Sequence, residues 1–315
     1  MTFHHILSCS LLSICTATVC CSALAADDWQ WETIETSGQP TARHEAAFVA
    51  FQGKAYLIGG RRINPVDVFD PQTKVWTAKS ETPLELHHFQ AVVIDDAIYL
   101  MGAMTGGWPR ETPLEKIVVY YPKTDEFKFV HTIPPSRRRG GAGAVVHNGK
   151  IYVVGGITNG HMNGFQPWLD EYDPATGEWN MLPDAPHARD HFQAVVHGDK
   201  LYALAGRTTS QATDQGFDLT VKAVDVFDFE SKTWLADDAI SELPTARAGN
   251  MAMAWGNEIV VGGGESATQK PAHNQVEALD ATTGKWRSWP ALQRGRHGSG
   301  FAVIDDHVYT ASGSG

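Results

Sequence analysis

The stretch AVVHNGKIYVVGG, Ala144 to Gly156, holds two short apolar runs around Asn148-Gly149 and ends in a glycine pair. Runs rich in Val, Ile and Tyr on either side of Asn-Gly predict a β-hairpin, because the turn needs residues that accept positive φ. The same phrase recurs at Phe48–Gly60, Ala91–Ala103, Gln193–Gly206, Ala252–Gly264 and Phe301–Gly313. A unit this short cannot bury its apolar face alone, so neighbouring copies must stack into one continuous core.

Working outward, an arginine stands just before the first strand of most copies: Arg43, Arg139, Arg189, Arg247 and Arg296, with Leu86 in the second copy. The spacing averages about 50 residues. The second half of each copy is also regular. A strand ends in an aromatic-Asp turn or a variant (Phe69-Asp70-Pro71, Tyr172-Asp173-Pro174, Phe227-Asp228), and an aromatic follows (Trp76, Phe127, Trp179, Trp234, Trp286). Each copy thus predicts four strands with turn signals between them.

Small paired residues after strand two, a central Tyr and a Trp in strand four resemble the kelch motif. That resemblance covers nearly all of the chain after residue 26 and implies an all-β, six-bladed β-propeller around a central channel. It sets one domain over 27–315, with blades starting near 43, 86, 139, 189, 247 and 296. Trp31 precedes Arg43 as Phe127 precedes Arg139, so an N-terminal strand is expected to close the last blade. The sixth copy stops after its second strand, so that blade is expected to be incomplete at the C-terminus, with truncation the favoured reason.

Residues 1–25 read as a secretory signal peptide. Ile6 to Leu24 is apolar and small, Ala23-Leu24-Ala25 is a cleavage signature, and the leader holds all four cysteines, Cys9, Cys15, Cys20 and Cys21. The expectation is a secreted or periplasmic protein cut near Ala25, without disulfides. No later segment is apolar enough to cross a membrane. The net charge of −11 argues against a nucleic-acid partner. A monomer is expected.

Strand order places tight turns such as Gln52-Gly53 and Asn148-Gly149 on one face. The other face carries long links between strands two and three, at 104–115, 157–169, 207–220 and 265–275, with Trp108, Arg110, Glu111, His161, Trp168, Asp214 and His273. Long loops on a rigid scaffold are where binding residues gather, so this face is expected to be functional. The residues that enter strand one or leave strand two form its inner rim. Arg43, His44, Arg61, His87, Arg139, Arg189, Arg207, Arg247, Arg296 and His297, with Trp108 above them, are the expected ligand-binding residues. Propeller resemblance implies that such positions line a pocket. The repeated arginines have an equally weighted structural reading, as bonds to neighbouring backbone.

Arginines in a concave site favour a small acidic or sugar-type ligand, and a peptide is the competing partner. Glu45, His88, Asp190, His191 and Glu265 are candidate acid and base groups, should the protein turn over a sugar. In its secreted propeller and polar rim the chain is similar to N-acetylneuraminate epimerases (mutarotases), which would imply that activity. Galactose oxidases share the fold, but their copper-radical site needs a cysteine the mature chain lacks. Glu45, His88 and His191 share one offset in three blades and form a two-His, one-carboxylate set. Propeller channels are wide, convergence to about 2 Å bonds is not expected, and neither metal nor cofactor is assigned.

Overall fold

The computed structural model describes residues 29–236 and 239–315. The expected signal peptide at 1–25 lies outside the described residues. Five four-stranded antiparallel blades follow one another in chain order. Blade one comprises Ala46–Phe51, Lys54–Gly59, Pro65–Asp70 and Val75–Glu81. Blade two comprises Gln90–Ile94, Ala97–Met101, Lys116–Tyr121 and Glu126–Thr132. Blades three to five span 143–182, 195–234 and 251–289.

Each blade is a meander because each hairpin turn takes residues that accept positive φ, such as Gln52-Gly53 (46° and 74°) and Asn148-Gly149 (47° and 73°). Its strands alternate so that apolar side chains meet the next blade. Ala142, Ala144, Ile151 and Val153 of blade three pack with Val92, Val119 and Ile117 of blade two. The core is therefore a series of inter-blade layers, as stacked repeats require.

Five blades are complete rather than six; the sixth copy, expected to be incomplete, is a two-stranded hairpin, Ala302–Ile304 with His307–Tyr309. It is wedged between its neighbours. Phe301, Val303 and Val308 pack on blade five, and Ala302, Ile304 and Tyr309 on blade one. The expected N-terminal closing strand does not form either. Residues 29–36 make no ladder with the hairpin. Trp31 instead stacks on Phe301 (5.8 Å, 15° between planes), and its indole N–H donates to Pro290 O at 2.9 Å. Ser37 then bridges Val75 of blade one in parallel. The segment is tied elsewhere: Trp31 and Thr33 bond to Pro290 and Gln293, and a cleft of about 620 Å³ is lined by Trp29 and Trp31 on one side and Val308 and Tyr309 on the other. Strands pair only at about 4.8 Å.

Among the described residues no helix is long and apolar enough to cross a membrane.

Candidate functional site

The arginine before strand one is an internal staple. Arg139 donates to Gly155 O and Val153 O and meets Asp170 at 2.7 Å. Arg189 bonds Ala205 O, Ala223 O and Asp225. Arg43 pairs with Asp67, and Arg247 with Glu277 at 2.8 Å. Each acid lies on strand three of the same blade, opposite an equivalent strand-two residue: Leu57↔Asp67, Val153↔Asp170, Ala203↔Asp225, Val261↔Glu277. In blade two that pairing is Leu100↔Val118, and the arginine position is Leu86. Across the five complete blades the acid and the arginine are present or absent together, so the charge belongs to the blade. Burial pushes Arg139 and Arg247 down to about 10, against the opposing pull of their acids. Arg296 donates to Ser312 O at 2.7 Å and makes no ion pair among the described residues. The repeated arginines expected to bind ligand are thus spent on their own blades.

One step further in, six equivalent positions circle the axis. Glu45, His88, Gly141, His191, Gly249 and Gly298 all take left-handed backbone, with φ of 58°, 54°, 59°, 53°, 61° and 65°. Main-chain bonds link them blade to blade. His88 N–H donates to Glu45 O, Gly141 to His88 O, His191 to Gly141 O, Gly249 to His191 O and Gly298 to Gly249 O, at 2.6 to 3.1 Å. Ala46 N–H donates to Gly298 O and closes the circle. The glycines at three of the six positions follow from this backbone, since left-handed φ costs a non-glycine residue about 1 kcal/mol or more. At Gly298 a Cβ would also come within 2.5 Å of Glu45 N. Glu45, His88 and His191 hold the conformation despite that strain.

Below the ring two glutamines fill the channel. The Gln90 amide accepts from Ala144 N and Ala194 N and donates to Ala194 O, joining blades two, three and four. Gln193 accepts from Ala252 N and donates to Ser299 O. An axial cavity lined by the ring residues and Gln193 measures about 40 Å³. That is room for an ion or one or two waters, against roughly 300 Å³ for a small organic ligand.

Above the floor, His88, His161 and His191 stand ring against ring, with centroids 4.4 to 5.0 Å apart. His161 comes from the blade-three loop and its companion Glu111 from the blade-two loop; both lie on the long links expected to be functional, but neither was given a binding or acid–base role. Glu111 accepts from His161 Nδ1 at 2.9 Å and from Arg61 at 2.5 Å. Burial alone would raise the Glu111 carboxyl, but His161 and Arg61 hold it down to about 2. Asp190 accepts from His191 Nδ1 and from Thr209 N and Oγ1. His87 is buried, and with Arg61 nearby its imidazole is pushed below its ordinary range. A neutral His87 donates from Nε2 to Gly106 O (3.0 Å) and accepts at Nδ1 from His88 Nδ1–H (2.7 Å). Burial lowers His88 strongly and His191 as well, against the opposing pull of Glu45 and Asp190.

The opposite side of the mouth is acidic. His88 Nε2 lies 3.3 Å from Glu45 Oε2, and His297 Nε2 lies 3.6 Å from Glu45 and 3.4 Å from Glu265. Glu265 pairs with Arg207 at 2.6 Å, and His44 completes the cluster at 3.6 Å from Glu45. The structure therefore brings together all five candidate acid–base residues with His44, His87, His297, Arg61 and Arg207. Trp108 stays out on the rim, exposed. Trp168 stacks under Arg137 at 4.3 Å, which occupies a face that a sugar would need.

The rim itself is stiff. His161 N–H donates to Pro109 O, Gln211 N–H to His161 O and Ala212 N–H to Met162 O, so the loops of blades two, three and four form one wall. A profile of the KLHDC2/KLHL20/DRC7 Kelch-repeats domain matches residues 103–313. The chain belongs to the kelch-repeat family. This kelch propeller is 28% identical to Kelch-like protein terF of Aspergillus terreus over 305 residues, 90% of this chain and 64% of terF. It is 27% identical to Beta-scruin of Limulus polyphemus over 229 residues (67% of this chain, 24% of scruin). It is 26% identical to Kelch-like protein 40 of Xenopus tropicalis over 204 residues (62% and 32%). It spans less than two-thirds of each of these relatives. The solved structure of YjhT superposes on the kelch propeller with a TM-score of 0.71 at 19% identity, over 89% of this chain and 94% of that one. At that identity the likeness is one of fold.

Proposed function

We propose that this kelch propeller is an interaction module that grips a protein or peptide partner with its loop face. One observation carries the reading: Ile63, Trp108, Phe165, Phe217 and Leu219 are all exposed, and all lie on links between strands two and three. Trp108 is 55% exposed on a loop whose backbone is bonded to its neighbour. Exposed aromatics held on a rigid wall are the anchors by which protein interfaces are made. Membership of the kelch family supports the same reading. A sugar or an acidic small molecule in the channel, and with it mutarotation, loses support from the 40 Å³ cavity and from arginines already bonded within their blades. Secretion after cleavage near Ala25 remains part of the proposal and rests on the leader's composition alone.

The test is site-specific photo-crosslinking in the native host, with the probe at position 108 or 217 and a control probe at Asn148 on the opposite face. A discrete adduct from the loop face, absent from the control and lost with Phe165→Ala, is expected. A saturable thermal shift with uronic or sialic acids, and no loop-face adduct, would overturn the reading in favour of the carbohydrate one.

A further inference from the structure

The three histidines on the axis are each oriented from behind. Glu111 takes the Nδ1 proton of His161, Asp190 that of His191 and His87 that of His88. In every case Nε2 is the nitrogen left free, and the three rings present ligand nitrogens within 4.8 Å of one another. An imidazole tied through Nδ1 to a carboxylate or another acceptor is the arrangement proteins use to aim Nε2 at a metal ion.

Two further observations point to a cation. His191 Nε2 is buried and has no hydrogen-bond partner, although the residue is only 6% exposed. A buried polar atom left unmatched costs about 1–3 kcal/mol, so such atoms ordinarily have a use. Glu45 Oε2 lies 3.3 Å from His88 Nε2, so a carboxylate stands at the edge of the cluster and favours positive charge there.

We propose that His88, His161 and His191 form a binding site for a single divalent transition-metal ion, with the fourth position open to water. Three imidazole nitrogens suit zinc or iron, whereas magnesium and calcium prefer oxygen donors throughout. His88 enters blade two and His191 blade four, while His161 hangs from the loop of blade three. A bound ion would therefore tie three blades together at the axis. It also accounts for His88 and His191 at ring positions where glycine would be unstrained, since strain of this kind gathers at functional sites. The inference is independent of what the rim binds.

The test uses the full chain, stripped with a chelator and then titrated with Zn²⁺ alone by calorimetry. One equivalent is expected, with a rise in Tm at saturation. His161→Gln and His191→Gln should each weaken zinc at least tenfold, and Glu111→Gln should weaken it about tenfold through the ring it orients. If the histidine variants fail to fold, Co²⁺ on the parent protein decides: the strong visible bands of four-coordinate cobalt are expected. The proposal is overturned if the parent binds under about a tenth of an equivalent, or if Co²⁺ stays spectrally octahedral. It is overturned equally if His161→Gln binds as the parent does while His44→Gln with His297→Gln does not, since the ion would then sit on the neighbouring cluster.

Discussion

Arg189 and Asp225 meet at 2.8 Å with both side chains buried, one at the entry to blade four and the other on its third strand. The same pair recurs in blades one, three and five and is replaced in blade two by Leu86 and Val118. Losing one partner of a buried ion pair strands the other charge, at about 3–5 kcal/mol, whereas an apolar pair of similar volume is often neutral. Arg189→Leu is therefore expected to destabilise the protein by about 3–5 kcal/mol. Arg189→Leu with Asp225→Val, which copies blade two, should recover at least half of that loss. Urea denaturation of the two variants measures the difference, and equal losses would contradict the pairing.

The axial ring separates backbone from side chain. Gly298 sits at φ 65°, and an added Cβ would press on Glu45 N at 2.5 Å. Gly298→Ala should cost about 2 kcal/mol or more. At Glu45 the carboxylate is lost in either of two replacements, but only glycine relaxes φ 58°. Glu45→Gly should therefore be about 1 kcal/mol more stable than Glu45→Ala. Chemical denaturation of the three variants gives both numbers, and an Ala variant matching its Gly counterpart would dismiss backbone strain at the axis.

Gln90 spans blades two, three and four with a single amide. Replacing it by Leu keeps the volume and leaves Ala144 N–H, Ala194 N–H and Ala194 O without their partner, at about 1–3 kcal/mol for each group that stays dry. Hydrogen exchange at the Ala144 and Ala194 amides is expected to quicken in Gln90→Leu, while the amides of blade one keep their protection. Unchanged exchange at both alanines would show that Gln90 does not hold the blades.

Glu111 sets an acid limit. Its folded carboxyl lies near 2, below the ordinary 4.5. A depressed acid contributes stability above its unfolded value and loses it as pH falls towards the folded one. About 1.4 kcal/mol per unit makes this on the order of 3 kcal/mol. Glu111→Gln should be less stable at pH 7 by roughly that amount, and its stability should fall less steeply than the parent's between pH 4.5 and 2. Denaturation curves collected across that range check the slope, and parallel pH profiles would refute it.

The blades were legible because their signals are local. Asn148-Gly149 specifies a turn whatever surrounds it, and the apolar alternation of each strand pair is complete within about 13 residues. The kelch resemblance came from those same residues. The incompleteness of the sixth copy was legible too, since it stops after its second strand. Whether the N-terminal segment would join it was not, because that depends on how residues about 260 apart in sequence, such as Trp31 and Pro290, come together. The site was half legible. Glu45, His88, Asp190, His191 and Glu265 stood out because they broke the repeat, and the structure does bring them together. His161 and Glu111 sit on loops of unequal length, where no alignment between copies exists to mark them. Their one shared signal was a buried histidine and acid on adjacent long loops, and only packing discloses burial.

The amino-acid sequence by itself determined the repeated hairpin, the kelch family and the face that carries the long loops, since each follows from turn chemistry and side-chain period over a few residues. Tertiary structure alone decided what the arginines do, how narrow the channel is and which histidines meet. Arg189 is a blade staple because strand pairing brings Asp225 to it. His88 and His191 are held by the ring of main-chain bonds between blades, and His161 meets them because its loop is bonded to the loops of blades two and four. Contacts of that kind are set by the sum of all blade-to-blade packing, which no single copy of the repeat contains.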